Sequence, residues 1–115
     1  MNKVKPIVLE YEDGKTYTLE FSRASVRFAE RMGFSLASLG QAPMTATENL
    51  FWFAFRMHHP NLKKADTDKI LYEDLGGLTE EALTRLADLY EAPFATLVDD
   101  EEDGEEKNAK AKMHL

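Results

Sequence analysis

Leu50-Phe51-Trp52-Phe53-Ala54-Phe55-Arg56-Met57 is the stretch on which the fold turns. Thr45-Ala46-Thr47-Glu48 just ahead of it matches a capping box, so the sequence predicts a helix that opens there and stops before Pro60. On that helix residues 51 and 55 share one face, residues 50, 53 and 57 share another, and Trp52 points elsewhere. A helix apolar nearly all round must be buried nearly all round. Either it is the central helix of a small domain, or it carries surplus apolar surface for a partner. Both hold if the helix is central with one edge exposed. Phe51, Trp52, Phe55 and Met57 are the candidate partner-binding side chains, because aromatic and methionine groups supply adaptable contact area.

Toward the N-terminus lie two period-two segments. Ile7, Leu9 and Tyr11 alternate with Val8 and Glu10, and Tyr17, Leu19 and Phe21 alternate with Thr16, Thr18 and Glu20. This is the pattern of two strands with one apolar face each. A two-residue Asp13-Gly14 loop would put the two apolar sets on opposite faces. A three-residue loop, Glu12-Asp13-Gly14, pairs Leu9 with Tyr17 and Ile7 with Leu19, which gathers all six large side chains on one face. It also puts Gly14 where a type I turn with a G1 bulge needs positive φ. One hairpin alone is marginal, so helices or another copy's sheet must cover it. Ser22 reads as the cap of a helix to about Met32, with Phe21 and Val26 as its hydrophobic staple and Gly33 as its stop. Ser35 to Leu39 predicts one further turn closed by Gly40, and Gln41-Ala42-Pro43 is a connector.

Toward the C-terminus, Asp66 or Thr67 is expected to cap a helix through Ile70, Leu71 and Leu75, closed by Gly76-Gly77. Thr79 caps the next, with Glu80 and Glu81 at its positive end and Ala82, Leu83, Leu86, Ala87, Leu89 and Tyr90 as its apolar set. Pro93 suits the first turn of a short helix from Phe94 to Val98. The reading is α+β: an N-terminal β-hairpin (about 6–21), then a bundle of four to five helices (about 22–98). Residues 99–115 are expected to be a disordered tail, since like charges repel.

The formal net charge of −7 is unevenly placed. Residues 99–106 hold seven carboxylates and no base, followed by Lys107, Lys110 and Lys112. Residues 1–98 carry 11 basic and 14 acidic side chains, a net of −3. Nucleic-acid binding is not expected, because phosphate contact needs a basic surface. No segment is long and apolar enough to span a bilayer, and the first residues lack the apolar stretch of a signal peptide. With no cysteine in the chain, a thiolate nucleophile and a Cys-type zinc site are excluded, and the cytoplasm is the expected compartment.

Little points to catalysis. His58 and His59 project about 100° apart on a helix, and no metal-ligand spacing surrounds them. The expectation is no metal, no cofactor and no enzyme: Glu73/Asp74 and Glu80/Glu81 lie at helix ends without a pocket to shift their pKa, and no serine or glycine context matches a nucleophile elbow or phosphate loop. Arg23, Arg27 and Arg31, spaced i, i+4, i+8, line one face of the first helix. They read as a clamp for an acidic partner, another copy's acidic tail included, or as a solvated exterior. The acidic tail reads as a solubility device or as a shield over a sticky surface.

The order of elements resembles the tail assembly chaperones of long-tailed bacteriophages over about residues 7–98. The resemblance rests on the hairpin with Gly14-Lys15-Thr16-Tyr17-Thr18-Leu19-Glu20-Phe21, the helix closed by Gly33, and the step Ser35-Leu36-Ala37-Ser38-Leu39. It continues through the aromatic helix into His59-Pro60-Asn61, the Gly76-Gly77 break, and a last helix with Leu83, Leu86 and Leu89. It implies a cytoplasmic helper that coats the tape measure protein, helps recruit tail tube subunits, and is absent from the mature virion. Many members of that family are made in two forms by ribosomal frameshifting. A groove flanked by Trp52, Phe55 and Met57 would accept an apolar helix. Modest area per copy with many copies keeps such contact reversible. The main alternative is a structural head–tail connector or tail completion protein. Weaker ones are an antitoxin-like binding module and an enzyme using the histidines. Homo-oligomers through the free hairpin edges or the aromatic helix are a separate expectation.

Overall fold

The computed structural model describes residues 4–96 together with 111, 113 and 114. Strands β1 (Ile7–Glu10) and β2 (Thr16–Leu19) form an antiparallel hairpin. Helices α1 (Arg23–Arg31), α2 (Ser38–Gln41), α3 (Pro43–Phe55) and α4 (Lys64–Lys69) follow. The last of these widens into a π-helical turn over Ile70–Asp74. Helix α5 (Glu80–Glu91) runs directly into a 3-10 turn, Ala92–Thr96. The expected tail, 99–115, lies outside the described residues apart from 111, 113 and 114.

The hairpin has the register its apolar pattern requires: Ile7 opposite Leu19 and Leu9 opposite Tyr17. Gly14 has φ +92, its N–H donates to the Tyr11 carbonyl at 2.9 Å, and the Tyr11 N–H donates to the Lys15 carbonyl at 2.8 Å. This is the bulged three-residue loop. Leu19 and Phe21 are buried, Ile7, Leu9, Tyr11 and Tyr17 are half-buried, and Val8 on the opposite face is 57% exposed.

In α1, the Ser22 hydroxyl accepts from the Ser25 N–H at 3.1 Å and the Ser25 hydroxyl accepts from the Ser22 N–H at 2.8 Å. Two orphan donors are thereby satisfied reciprocally, with serine in the place glutamate usually takes. Gly33, at φ +88, ends the helix and turns Phe34 back into the core.

Several boundaries differ from the sequence reading. Helix α3 starts at Pro43 rather than at a Thr45 cap, because proline in the first turn presets φ and has no N–H to satisfy. Glu48 is then free to reach across to α4. Gly40 sits inside α2 instead of closing it. Helix α4 starts at Lys64, with Asp66 inside its first turn accepting the Lys63 N–H at 2.9 Å. Pro93 falls within the 3-10 continuation of α5, so no separate fifth helix begins there; Val98 lies outside the described residues.

Helix α3 packs against α1, α2, α4, α5 and β2. Ala46, Leu50, Phe51, Phe53, Ala54 and Phe55 are all buried in one cluster with Val26, Ala29, Ile70, Leu71, Leu86, Leu89 and Tyr90. Edge-to-face ring contacts, Phe51 with Phe55 at 5.0 Å and Phe34 with Phe53 at 5.5 Å, set the side-chain order inside it. A polar bridge joins α3 to α4. The Lys64 ammonium lies 2.8 Å from Asp68 and 3.3 Å from Glu48, and the Tyr72 hydroxyl donates to Glu48 at 2.7 Å. The Tyr72 bond, then Lys64, holds the Glu48 carboxyl below the usual carboxylate range.

The hairpin is fastened to the far end of α3. The Glu20 N–H donates to the Ala54 carbonyl at 2.9 Å, and the Thr18 N–H donates to His59 Nε2 at 3.0 Å. The β2 edge thus satisfies a helix-end carbonyl while its own donors are satisfied. His59 Nε2 accepts only as a neutral ring protonated on Nδ1. Burial, then the adjacent His58, lowers its pKa below the ordinary 6.5. Since the native state prefers the neutral form, the stability from this bond is present above about pH 6.5 and is lost as pH falls below it.

Phe55→Ala is expected to cost about 3–5 kcal/mol in urea unfolding, whereas Met57→Ala, at a 42% exposed residue, should stay within about 0.5 kcal/mol. At about pH 8, His59→Phe should be about 1–2 kcal/mol less stable than the native chain. That gap should narrow as pH is lowered toward 5, because only the native chain loses the Thr18 bond. A gap independent of pH would show that His59 does not accept this hydrogen bond.

Candidate functional site

The partner residues expected on the aromatic helix do not form a common surface. Phe51 and Phe55 are 1% and 0% exposed, so their assignment to a partner interface is corrected: they are core. A domain this small builds one interior, and these rings are its largest pieces. Trp52 is half-buried. Its Nε1–H donates to the Leu62 carbonyl at 3.2 Å, and its ring stands edge-on to Phe28 with centroids 6.0 Å apart. Met57 remains exposed on the turn after α3. The groove expected between Trp52, Phe55 and Met57 is therefore closed at its middle member.

The arginine face fares differently. Arg23, Arg27 and Arg31 all lie exposed along α1. Arg23 and Arg27 join Val26, Glu30, Pro93 and Phe94 around a cleft of about 70 Å³. Glu30 and Phe94 also border a second cleft of about 260 Å³, completed by Ser35, Leu36, Tyr90 and Glu91. The two clefts meet at Phe94, which is 38% exposed. Its ring lies 5.9 Å from that of buried Tyr90. Burial, then the Glu30 carboxylate, raises the Tyr90 phenol. Arg31 stands on the same helix but lines neither cleft.

This surface has an aromatic floor and a rim with both signs of charge. It can hold a row of apolar side chains and orient it through the rim, the usual division of work in a helix-binding groove. Phe94 escaped the sequence reading as a site residue. The available signal was an aromatic directly after Pro93 at the end of the last amphipathic helix. Nothing in the spacing shows that this end meets α1.

The remaining titratable groups tie elements together. His58 Nε2 lies 2.8 Å from a Glu20 carboxylate oxygen, and His59 serves β2. The Tyr11 hydroxyl donates to Asp74, and burial first, then that bond, pushes its pKa up to about 12. Among the described residues, no group of three or more His, Cys, Asp or Glu side chains could hold a metal ion. No helix among them is long and apolar enough to cross a membrane.

Phe94→Ala should remove the shared wall of both clefts. Binding of a hydrophobic fluorescent probe should weaken several-fold, while the urea midpoint changes by no more than about 1 kcal/mol equivalent. Probe binding unchanged by this substitution would place the adhesive surface elsewhere.

No match to the chain exists among curated proteins or among solved structures. A family model described as a domain of unknown function, DUF5055, matches residues 1–115. That match spans the hairpin, every helix described above and the charged tail, so the chain belongs to the DUF5055 family.

Proposed function

We propose that this chain is a phage tail assembly chaperone: a non-enzymatic, cytoplasmic protein that binds the tape measure protein, helps recruit tail tube subunits, and is absent from the mature virion. The observation that carries this reading is the exposed Phe94, set between two clefts beside Arg23 and Arg27, in a chain whose core closes without it. The element order noted in the sequence supports it as a resemblance.

Further support comes from the surface. Met32 and Met44 are exposed along with Phe94. Methionine side chains adapt to irregular apolar partners, as a holder of a long helical polypeptide requires. The clefts are small, so each copy contributes little area and many copies must act together. Arg23, Arg27 and Arg31 would steer acidic positions of the client helix, and Trp52 and Met57 would lie outside the main contact.

Co-expression with the cognate tape measure protein tests this. The tape measure protein should become soluble and be retained with the chain. Phe94→Ala combined with Arg27→Ala should lower retention about tenfold while the fold is kept. Unchanged tape measure solubility and no retention would overturn the reading. Finding the chain at structural abundance in purified virions would instead favour a head–tail connector or tail completion protein.

A further inference from the structure

The two edges of the hairpin are not equivalent. Tyr11, Leu9 and Ile7 turn their backbone groups toward β2, so by alternation those of Val8 and Glu10 point away from it. On β2 the outward N–H groups of Thr18 and Glu20 donate to His59 Nε2 and to the Ala54 carbonyl. On β1 no described residue takes those of Val8 or Glu10. Alongside this open edge runs a cleft of about 650 Å³, whose walls include Val8, Glu10, Glu12, Asp74 and Leu75. Val8 and Leu75 are 57% and 41% exposed. The cleft is therefore apolar on two sides, bordered by carboxylates, and backed by hydrogen-bonding groups that no described residue uses.

The chain itself contains a segment of matching chemistry. Lys110-Ala111-Lys112-Met113-His114-Leu115 alternates basic with apolar residues, which is the pattern of a strand with one basic and one apolar face. Laid antiparallel to β1, Lys112 falls opposite Glu10 and His114 opposite Val8, and Lys110 lies just past the end of the strand, beside Glu12 of the turn. Met113 then falls opposite Leu9 and Leu115 opposite Ile7. Opposite residues share a face, so Lys112 meets Glu10 on the outer face with Lys110 near Glu12 beyond it, and Met113 meets Leu9 beside Leu75 on the inner one. A slip of one residue would set lysines against the apolar face. In the monomer Ala111, Met113 and His114 are exposed, Met113 at 84%.

We infer that the open β1 edge is a docking site for residues 110–115 of a second copy, which adds a third strand to the hairpin and links copies into an oligomer. Main-chain bonds to Val8 and Glu10 supply affinity, and the two lysine–glutamate pairs set register and direction. The inference is independent of what the chain binds in its cell.

Sedimentation of the full-length chain over a range of concentrations provides the test. The native chain should self-associate. Glu10→Lys with Glu12→Lys, or Lys110→Glu with Lys112→Glu, should each weaken association about tenfold. Combining all four substitutions should restore it. Circular dichroism checks the fold, and the lysine pair lies outside the hairpin, so that variant stands even if the glutamate pair disturbs folding. A chain monomeric at every concentration overturns the inference, as do charge reversals without effect or a combined variant that fails to recover. Nuclear Overhauser contacts between Met113 and Leu9 confined to one isotope-labelled chain would overturn the second-copy assignment.

Discussion

Everything in this fold follows from the burial of α3. A helix with apolar side chains on every side cannot lie on a surface, so other elements must surround it. Helices α1, α2, α4 and α5 and strand β2 all pack on it. Phe51 and Phe55 on one face and Phe53 on another are each nearly inaccessible to solvent. The ring contacts with Phe28, Phe34 and Tyr17 bring in α1, the loop after it and the hairpin. Density of this kind is unforgiving of lost volume. It also explains why the aromatic residues that look most adhesive in the sequence are unavailable to a partner.

The hairpin solves two problems at once. Its apolar face needs cover, and the C-terminal end of α3 has carbonyls without partners. Docking β2 there lets the Glu20 N–H meet the Ala54 carbonyl and lets His59 serve Thr18. One edge of the sheet is consumed by this arrangement. The other keeps its main-chain groups outward beside a cleft, as an edge that is neither covered nor bulged does. The asymmetry is a direct result of which strand meets the helix.

The polar chemistry is spent on joints. Glu48, Lys64, Asp68 and Tyr72 link α3 to α4 and its π turn, Tyr11 ties the hairpin to Asp74, and His58 faces Glu20. Each is partly exposed, so each contributes modestly to stability and more to the relative placement of elements. Among the described residues, Met32, Met44, Met57 and Phe94 are exposed apolar side chains, and Arg23 and Arg27 line a cleft beside the last.

The local decisions were legible in the residues. Period two and Gly14 determined the strands, the loop and the register, because only one register puts six apolar side chains on one face. Ser22 and Thr79 announced their helices, since short hydroxyl side chains cap the N–H groups just ahead of them. Helix α3 starts ahead of Thr45 because Pro43 presets its first turn, Asp66 serves the start of α4 from inside its first turn, and Glu48 finds its partners across space in Lys64 and Tyr72. The site was the least legible part. Sequence assigned the partner contact to Phe51, Trp52, Phe55 and Met57 along with Arg23, Arg27 and Arg31, and of these Phe51 and Phe55 are core. Which apolar residues are sealed and which are left over depends on how many elements crowd α3, and spacing along one helix carries no record of its neighbours. Only the packed structure brought Phe94 beside Arg23 and Arg27, because that adjacency joins the two ends of the helical body through contacts no local pattern encodes.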